Sequence, residues 1–387
     1  MKTSLRSQVE PFRAMEVVAK AQTAISAGND VIMMCVGQPA SPAPAPALEA
    51  ARKALEVGKI GYTNATGIAP LRKRLSQYYQ DKYAVNISPE RIIITTGSSA
   101  GFILSFLALF DPGDRIAIPA PGYPAYRNIL RSLSLEPVEL RTTARDKWVL
   151  SAETLENAHN QSPLAGVLIA NPNNPNGTMM PPDRFQEVFE TAQNLKMQFV
   201  SDEIYHGLSY THPEVSALQL SDDTIVINSF SKYFCMTGWR IGWMIIPENL
   251  IETVSRLQQN AFICAPEISQ IAALAALEGM DELELVKQGY ARNRDLVLTR
   301  LRDLGFTNVH PIDGAFYAYA DVSHLTDNSM ELSKRLLDEI NVALTPGADF
   351  DTIEGHKWMR FSFAGDHDQI ADGFNRIEAW INKENRL

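Results

Sequence analysis

The stretch TIVINSFSKYFCMTGWRIGW, residues 224–243, joins a short apolar run to a group of polar side chains. The run TIVIN is rich in β-branched residues and predicts a buried strand. Ser229 and Ser231 follow it on either side of a phenylalanine, then comes Lys232, and Arg240 lies eight positions further on. An amine and a guanidinium so close to the end of a buried strand indicate a binding site at that end of a sheet.

The same arrangement recurs through the middle of the chain. Four other apolar runs end in a polar or Gly/Pro-rich motif, namely GSSAG (97–101), PGYPAY (121–126), NPNNPNG (171–177) and SDEIY (201–205). Helical patterns such as residues 181–196 separate several of these runs. Apolar strands alternating with helices predict an α/β fold whose mostly parallel sheet is covered by helices on both faces. We therefore expect the five motifs to share one rim of the sheet, where ligands bind in such folds.

The C-terminal part of the chain has a different pattern. From residue 285 onward, helical segments alternate with short strands, which predicts a smaller α+β domain. In segment 37–51, the alternating prolines of the first part forbid a helix there. They predict an extended crossing between two lobes. We predict an N-terminal segment (1–40) that packs with the small domain, a large domain (41–284) and the small domain (285–387).

Composition narrows the class of protein. The chain has 387 residues, 45% of them hydrophobic and 21% charged, with a formal net charge of −10. This negative charge argues against a nucleic-acid partner and against binding to anionic lipid. No apolar run is long enough to span a membrane, and the N-terminus lacks the apolar core of a signal peptide. With three scattered cysteines that suggest no disulfide framework, we expect a cytoplasmic protein.

The side chains of the rim have both functional and ordinary interpretations. Most lysines are simply exposed, but a lysine desolvated after a buried strand has a lowered pKa and can form a Schiff base, which favours Lys232 as a nucleophile. Asp202 is either a surface acid or a buried, paired carboxylate, and Tyr205 follows it at a spacing that lets both point the same way. Asn174 lies in a rigid Asn-Pro loop in which one or both X-Pro bonds can be cis. Arg360 is suited to a carboxylate or to an edge salt bridge.

The GSSAG motif allows three interpretations. It satisfies G-x-S-x-G between a strand and an apolar helix, which is the context of a hydrolase nucleophile, here Ser99. Small residues at a helix N-terminus also suit a phosphate, and a plain tight turn is the third possibility. The seven histidines are scattered without ligand spacing, so we expect no metal site.

In combination, these motifs resemble the class I, fold type I aminotransferases that depend on pyridoxal 5'-phosphate (PLP), in particular the bacterial aspartate and aromatic aminotransferase-like subgroup. The resemblance runs from about Pro11 to the C-terminus. It is carried by GYTNATGIAPLR, DPGD, NPNNPNG, SDEIY, SFSKYFCMTGWRIGW, GAFY and MRFSF, in this order and at these spacings. No single motif among them would be specific.

The resemblance implies roles for the matching positions. Lys232 would form the Schiff base with PLP and move protons, Asp202 would hold the ring nitrogen protonated, Tyr205 and Asn174 would bind the ring hydroxyl, and Tyr123 would stack on the ring. The phosphate would be held by Gly97, Ser98, Ser99, Ser229, Arg240 and, across a homodimer interface, Tyr62. The substrate carboxylate would be bound by Arg360, Asn174 and the backbone of Gly37. The reaction implied is ping-pong transfer of an amino group from an L-amino acid to a 2-oxo acid.

The substrate and two alternative activities stay open at this point. Bacterial aspartate aminotransferases of the subgroup use a lysine and a threonine where this chain has Ser99 and Ala14, which disfavours aspartate. We expect Phe12, Phe230 and Phe316 to form an apolar pocket, which would suit aromatic, aliphatic or alanine-like donors, although Arg13 could contact an acidic substrate. A C–S β-lyase on the same fold and a serine hydrolase using Ser99 are the alternative enzymes, and a non-catalytic PLP-binding regulator is the alternative outside enzymes.

Overall fold

The computed structural model describes residues 1–384. The strands are β1 (Ile32–Met33), β2 (Ile92–Thr95), β3 (Arg115–Ala120), β4 (Glu136–Arg141), β5 (Gly166–Ala170), β6 (Gln198–Asp202), β7 (Ile225–Ser229), β8 (Gly242–Ile245), β9 (Tyr317–Asp321), β10 (Val342–Ala343), β11 (Thr345–Pro346) and β12 (Trp358–Ser362). The helices are α1 (Arg13–Ser26), α2 (Ala45–Val57), α3 (Ala69–Tyr83), α4 (Gly97–Leu109), α5 (Pro124–Ser132), α6 (Ala152–Gln161), α7 (Pro182–Asn194), α8 (Ile251–Ala261), α9 (Glu267–Ala276), α10 (Met280–Asp303), α11 (Ser329–Ile340) and α12 (His367–Glu384).

Within residues 1–384, the central sheet has seven strands in the order β2-β8-β7-β6-β5-β3-β4. Only β8 runs against its neighbours, so the other six strands share one direction. Their carboxyl ends therefore meet at one rim. The prediction of a mostly parallel α/β sheet is confirmed.

Helices cover this sheet on both faces because the side chains of each strand alternate between them. In β2, Ile92 and Ile94 belong to one apolar core, with residues of α3, α7 and α9, while Ile93 belongs to a second core with α4, α5 and α8. Val226 and its neighbour Ile227 in β7 divide in the same way. With both faces buried, the strands can read as continuous apolar runs, as the sequence shows.

The C-terminal part forms two small sheets. Strands β11, β12 and β9 make a three-stranded antiparallel sheet, and β10 pairs in parallel with β1 from the N-terminal segment. The pair Ile32–Val342 fixes this register, so residues before 40 contact the C-terminal part directly. Helix α10 is continuous across the expected boundary at 284/285 and links the two parts of the chain. The division into domains itself stays a prediction.

Two features of the described residues concern function classes. None of the helices within residues 1–384 is both long and apolar enough to cross a membrane. In the same residues, no three His, Cys, Asp or Glu side chains are placed to hold a metal ion.

Candidate active site

A cavity of about 200 Å³ opens at the carboxyl rim of the central sheet. The strand ends contribute Asn174 after β5, Tyr205 after β6 and Lys232 after β7. Helix α1 and the segment that follows it contribute further lining residues, and β12 contributes Arg360. Motifs that are far apart in sequence therefore meet here because parallel strands end at one edge.

Lys232 is placed to act as an amine. Its Nζ donates a hydrogen bond to the backbone oxygen of Gly37, at 2.7 Å, and pairs with no carboxylate of residues 1–384. Burial, with the positive charges of Arg360 and Arg240 nearby, lowers the pKa of Lys232 to about 8. A lysine with this pKa is neutral far more often at pH 7 than an exposed one, and only the neutral amine is nucleophilic.

Asp202 ends β6 with 1% of its surface exposed. Its carboxylate accepts hydrogen bonds from the backbone N–H of Ile204, at 3.1 Å, and from the hydroxyl of Tyr126. Burial raises the pKa of Asp202 to about 6, against the opposing effects of Tyr126, Ile204 and the charge of Lys232. A buried carboxylate held in this way is suited to a cationic partner that is not a protein side chain.

Glu203, the next residue, fixes the turn that carries Asp202 and Tyr205. Its Oε1 accepts hydrogen bonds from the hydroxyls of Ser201 and Ser216 and from the backbone N–H of Ala217. Burial raises the pKa of this fully buried carboxyl to about 8. Within the motif SDEIY, Tyr205 therefore lines the cavity, Asp202 is hydrogen-bonded to two lining residues, and Glu203 anchors the turn.

Tyr205 forms a hydroxyl pair with Tyr317, with their oxygens 2.8 Å apart. Gly37 lies against Tyr317 so closely that a Cβ at position 37 would be 1.7 Å from the tyrosine oxygen. Glycine is therefore required at position 37, and its carbonyl stays within reach of Lys232. The contact also ties the N-terminal segment to β9.

Arg360 is held on three sides and has one polar atom without a partner. Its Nη1 donates to Oδ1 of Asn174 at 2.8 Å, and its Nη2 donates to the backbone oxygen of Cys35 at 2.6 Å. The guanidinium lies over the rings of Tyr317 and Phe350, at 4.4 and 4.6 Å. The buried Nε has no hydrogen-bond partner in the described residues. Such an unpaired donor on a buried cation indicates a place for an anionic ligand.

A second site suited to an anion lies at the N-terminus of α4. Ser98 and Ser99 line the cavity there, and this helix has no side-chain cap, so its first N–H groups are free for a ligand. Gly97 adopts φ 72°, and a Cβ on it would lie 2.5 Å from Nη2 of Arg240. The guanidinium therefore rests directly on the glycine, where it adds a positive charge to the helix terminus.

Of the other predicted cofactor-binding residues, Tyr123 lines the cavity, whereas Ser229 and Tyr62 do not. Tyr123 lines it, with its ring edge-on to Phe12 at 5.7 Å. Ser229 is buried beside it and bonds the hydroxyl of Ser231, which does line it. Tyr62 is 83% exposed and does not contribute to the lining within one chain.

Two of the three phenylalanines expected in the pocket lie elsewhere. Phe12 lines the cavity, but Phe230 is fully buried against Phe234 and Trp243, and Phe316 packs on Tyr290. Both point into the core because their positions alternate with cavity-facing residues, so this part of the prediction is wrong. Arg13 also lies outside the lining, and its guanidinium pairs with Glu16 one turn along α1.

Among the residues with a side-chain hydroxyl, sequence reasoning assigned no role to three that the structure brings to the site: Tyr126, Ser231 and Tyr317. Tyr126 has a detectable signal, since it follows Tyr123 by one helical turn in PGYPAY. Ser231 adjoins the assigned lysine. The hydroxyl pair of Tyr317 joins positions 112 residues apart in the chain, and local patterns do not encode such contacts.

Comparison with known proteins gives the family. The profile of the family "Aminotransferase class I and II" matches residues 29–377. The chain belongs to the family of class I and II aminotransferases. Valine--pyruvate aminotransferase of Mycobacterium tuberculosis is 42% identical to it over 98% of both chains. Aspartate aminotransferase of Thermotoga maritima is 33% identical over 97% of this chain and 98% of the relative. A crystal structure of an aminotransferase from Mycobacterium tuberculosis superimposes with a TM-score of 0.96 at 41% identity, covering 99% of this chain and all of that one.

Membership establishes the activity and the cofactor: this aminotransferase depends on PLP. The residues present fit that group. Arg240, the uncapped start of α4 and two serines suit a phosphate dianion. The buried carboxylate of Asp202 suits a cationic ring nitrogen, and the low-pKa amine of Lys232 suits a carbonyl.

Proposed function

We propose that this aminotransferase uses neutral aliphatic L-amino acids, such as valine, as donors and a small 2-oxo acid, such as pyruvate, as acceptor. The proposal rests on one observation: among the described residues that line the cavity, no cationic side chain is left to bind a second carboxylate of the donor. The cations of the lining are Lys232, Arg240 and Arg360, and the cofactor and the substrate α-carboxylate use all three. A donor with a second carboxylate would bury an unpaired charge, which is costly.

The rest of the lining supports an apolar donor. Helix α1 and the adjoining loop present the side chains of Phe12, Ala14, Met15 and Val18. Contact with a branched aliphatic side chain stabilises binding in proportion to the apolar area buried. The relative with 42% identity is named for valine and pyruvate, which agrees with this chemistry.

We assign the site residues the following work. PLP, when bound, supplies an electron sink that makes the Cα–H of an attached amino acid acidic. Lys232 Nζ takes that proton and returns one, because it is the amine of the cavity and its pKa of about 8 lets it act near neutral pH. Arg360 orients the donor by binding its α-carboxylate through Nε and the nearest Nη, with Asn174 and Gly37 beside it.

The remaining assignments concern the cofactor. Asp202, supported by Tyr126, would hold the ring nitrogen in its protonated form; Tyr205 and Asn174 would bind the ring hydroxyl; and Tyr123 would stack on the ring. The phosphate would be bound by Gly97, Ser98, Ser99, Ser229 and Arg240. We further propose a homodimer in which Tyr62 of one chain reaches the phosphate of the other, because that exposed tyrosine has no such role within its own chain. A cytoplasmic location is proposed on the three free cysteines.

The alternative enzymes are less well supported. A Ser99 hydrolase needs a base, and no histidine is among the described residues lining the cavity. A β-lyase would use the same lysine, so products must separate the two. It releases pyruvate and ammonia from a sulfur amino acid such as cystathionine without consuming a 2-oxo acid.

A steady-state donor panel tests the proposal. Valine, alanine, phenylalanine and aspartate are compared with pyruvate as acceptor (2-oxobutyrate when alanine is the donor), and the 2-oxo acid formed from each donor is measured. We expect kcat/KM for valine to exceed that for aspartate by about a hundredfold, the cost of one unpaired carboxylate. Equal or greater efficiency with aspartate would refute the neutral-donor assignment while leaving the aminotransferase activity in place.

A further inference from the structure

Helix α1 forms a wall of the cavity and packs on the rest of the chain through a narrow apolar face. Of its side chains only Ala14, Val18 and Ala21 are buried. Phe12, the residue before the helix, provides no side-chain cap for the first turn. The wall that carries Ala14, Met15 and Val18 therefore depends on contacts from elsewhere in the chain.

The missing cap comes from Asp349. Its carboxylate accepts the backbone N–H of Arg13, at 3.0 Å, and that of Ala14, at 2.9 Å, although more than 330 residues separate them in sequence. Asp349 is 1% exposed. A buried carboxylate that binds two N–H groups at a helix N-terminus also interacts favourably with the helix dipole. Asp349 is thus the polar attachment of the first turn of α1.

The segment that holds Asp349 also contacts two other parts of the site. Its backbone oxygen accepts a hydrogen bond from Nη2 of Arg127 in α5, at 2.6 Å, and α5 begins next to Tyr123. The adjacent Phe350 lies under the guanidinium of Arg360. One turn therefore joins the carboxylate-binding arginine, the helix beside the cofactor ring and the wall of the donor pocket.

We propose that Asp349 is a positioning residue that determines donor specificity by holding α1 over the donor side chain. The inference rests on the proposed neutral-donor function and deepens it. Without Asp349, Arg360 and Lys232 keep their own partners, which do not include its carboxylate. The chemistry of the rim is then intact, but the apolar wall loses its fixed distance from the α-carbon. A donor with a larger side chain gains more from that wall and loses more when it moves.

The test compares valine with alanine in Asp349→Ala and Asp349→Asn. Asparagine keeps one acceptor oxygen, so it should be intermediate. For Asp349→Ala we expect kcat/KM to fall about tenfold with valine, mainly through KM, and no more than about twofold with alanine. In ping-pong kinetics kcat/KM for the donor does not depend on the acceptor, so the ratio reports the donor half-reaction alone.

Asp351→Asn is the matched control. The carboxylate of Asp351 also accepts two backbone N–H groups, those of Ile353 and Glu354, but they belong to its own turn and not to α1. We expect this variant to keep the valine-to-alanine ratio. As a direct readout of α1, trypsin should cut after Arg13 several times faster in Asp349→Ala than in the wild type or the control, while the visible spectrum of the bound cofactor is unchanged.

Two results would overturn the role of Asp349. One is an equal fall for both donors, which indicates general destabilisation. The other is a kcat/KM that stays at the wild-type value for both donors in both variants. If the wild type itself prefers aspartate, the proposed donor class fails; the size dependence among the donors it accepts, together with the trypsin comparison, still decides the role of Asp349. If Asp349→Ala does not fold, Asp349→Asn carries the same comparison.

Discussion

The carboxyl rim of the sheet and helix α1 border the same cavity, but they are held in place by different means. At the rim, Asp202 ends β6 and Lys232 follows β7, and the residues of these strands are buried apart from Gln198 at the start of β6. Helix α1 lies at the edge of the molecule with most of its side chains exposed, and its first turn is attached through Asp349. The rim is thus fixed by the packed central sheet, and the first turn of α1 by polar contact with a single distant residue.

This difference separates chemistry from specificity. Residues that move protons or hold the cofactor need a fixed geometry, which strand ends in a packed core provide. A wall that contacts only the donor side chain can vary without disturbing the reacting atoms. We therefore expect changes at the rim to reduce kcat with every donor, and changes at α1 to alter KM in a way that depends on donor size.

The largest effect is expected for Lys232→Ala. Removing the amine takes away the base at the donor α-carbon, so turnover should fall by about 10⁴-fold or more with every donor. Measured 2-oxo acid formation tests this, with Lys334→Ala on the exposed face of α11 as control. Near-wild-type turnover in Lys232→Ala would show that Lys232 is not the base at the donor α-carbon.

The second prediction concerns pH. The pKa of Lys232 is lowered to about 8 from 10.5, so the neutral amine fraction rises roughly tenfold per pH unit below 8 and levels off above it. The rate at which apoprotein takes up PLP should rise about fiftyfold from pH 6 to pH 8 and only about twofold more at higher pH. Stopped-flow absorbance measures it. A rate that keeps rising to pH 10 would show that Lys232 is not desolvated.

A smaller effect is expected for Tyr126→Phe. The hydroxyl stabilises the charged form of Asp202, so its loss should raise the pKa of that carboxyl further and lower kcat about tenfold. The factor should be the same for valine and alanine. A change in KM for valine alone would place Tyr126 with the specificity wall instead of the rim.

The smallest effect is expected for Met15→Ala in α1. Part of the methionine side chain lines the cavity and 54% of the residue is exposed. Its loss should raise KM for valine about threefold, with kcat and the cofactor spectrum unchanged. Ile25→Ala, at the exposed far end of the same helix, is the control. An equal change in the control would mean that α1 acts through its stability and not through contact.

The same contrast explains what the sequence could predict. The strand ends follow from apolar runs and their polar neighbours, so the fold and the convergence of Asn174, Asp202 and Lys232 at one rim were predictable. The direction of Phe230 and Phe316 was not, because a one-residue change of phase turns a side chain from cavity to core. The contact of Asp349 with α1 and that of Tyr317 with Gly37 join distant segments, and no local pattern encodes them.

The most direct test of the account is the visible absorption spectrum of the purified protein with bound PLP, recorded before and after single donors are added without any 2-oxo acid. We predict that valine converts the lysine-bound form of the cofactor to the amine form, with one equivalent of 2-oxo acid released per chain, and that aspartate at the same concentration converts little. A spectrum that no neutral donor changes, or that persists while pyruvate accumulates from cystathionine, would contradict the proposed function.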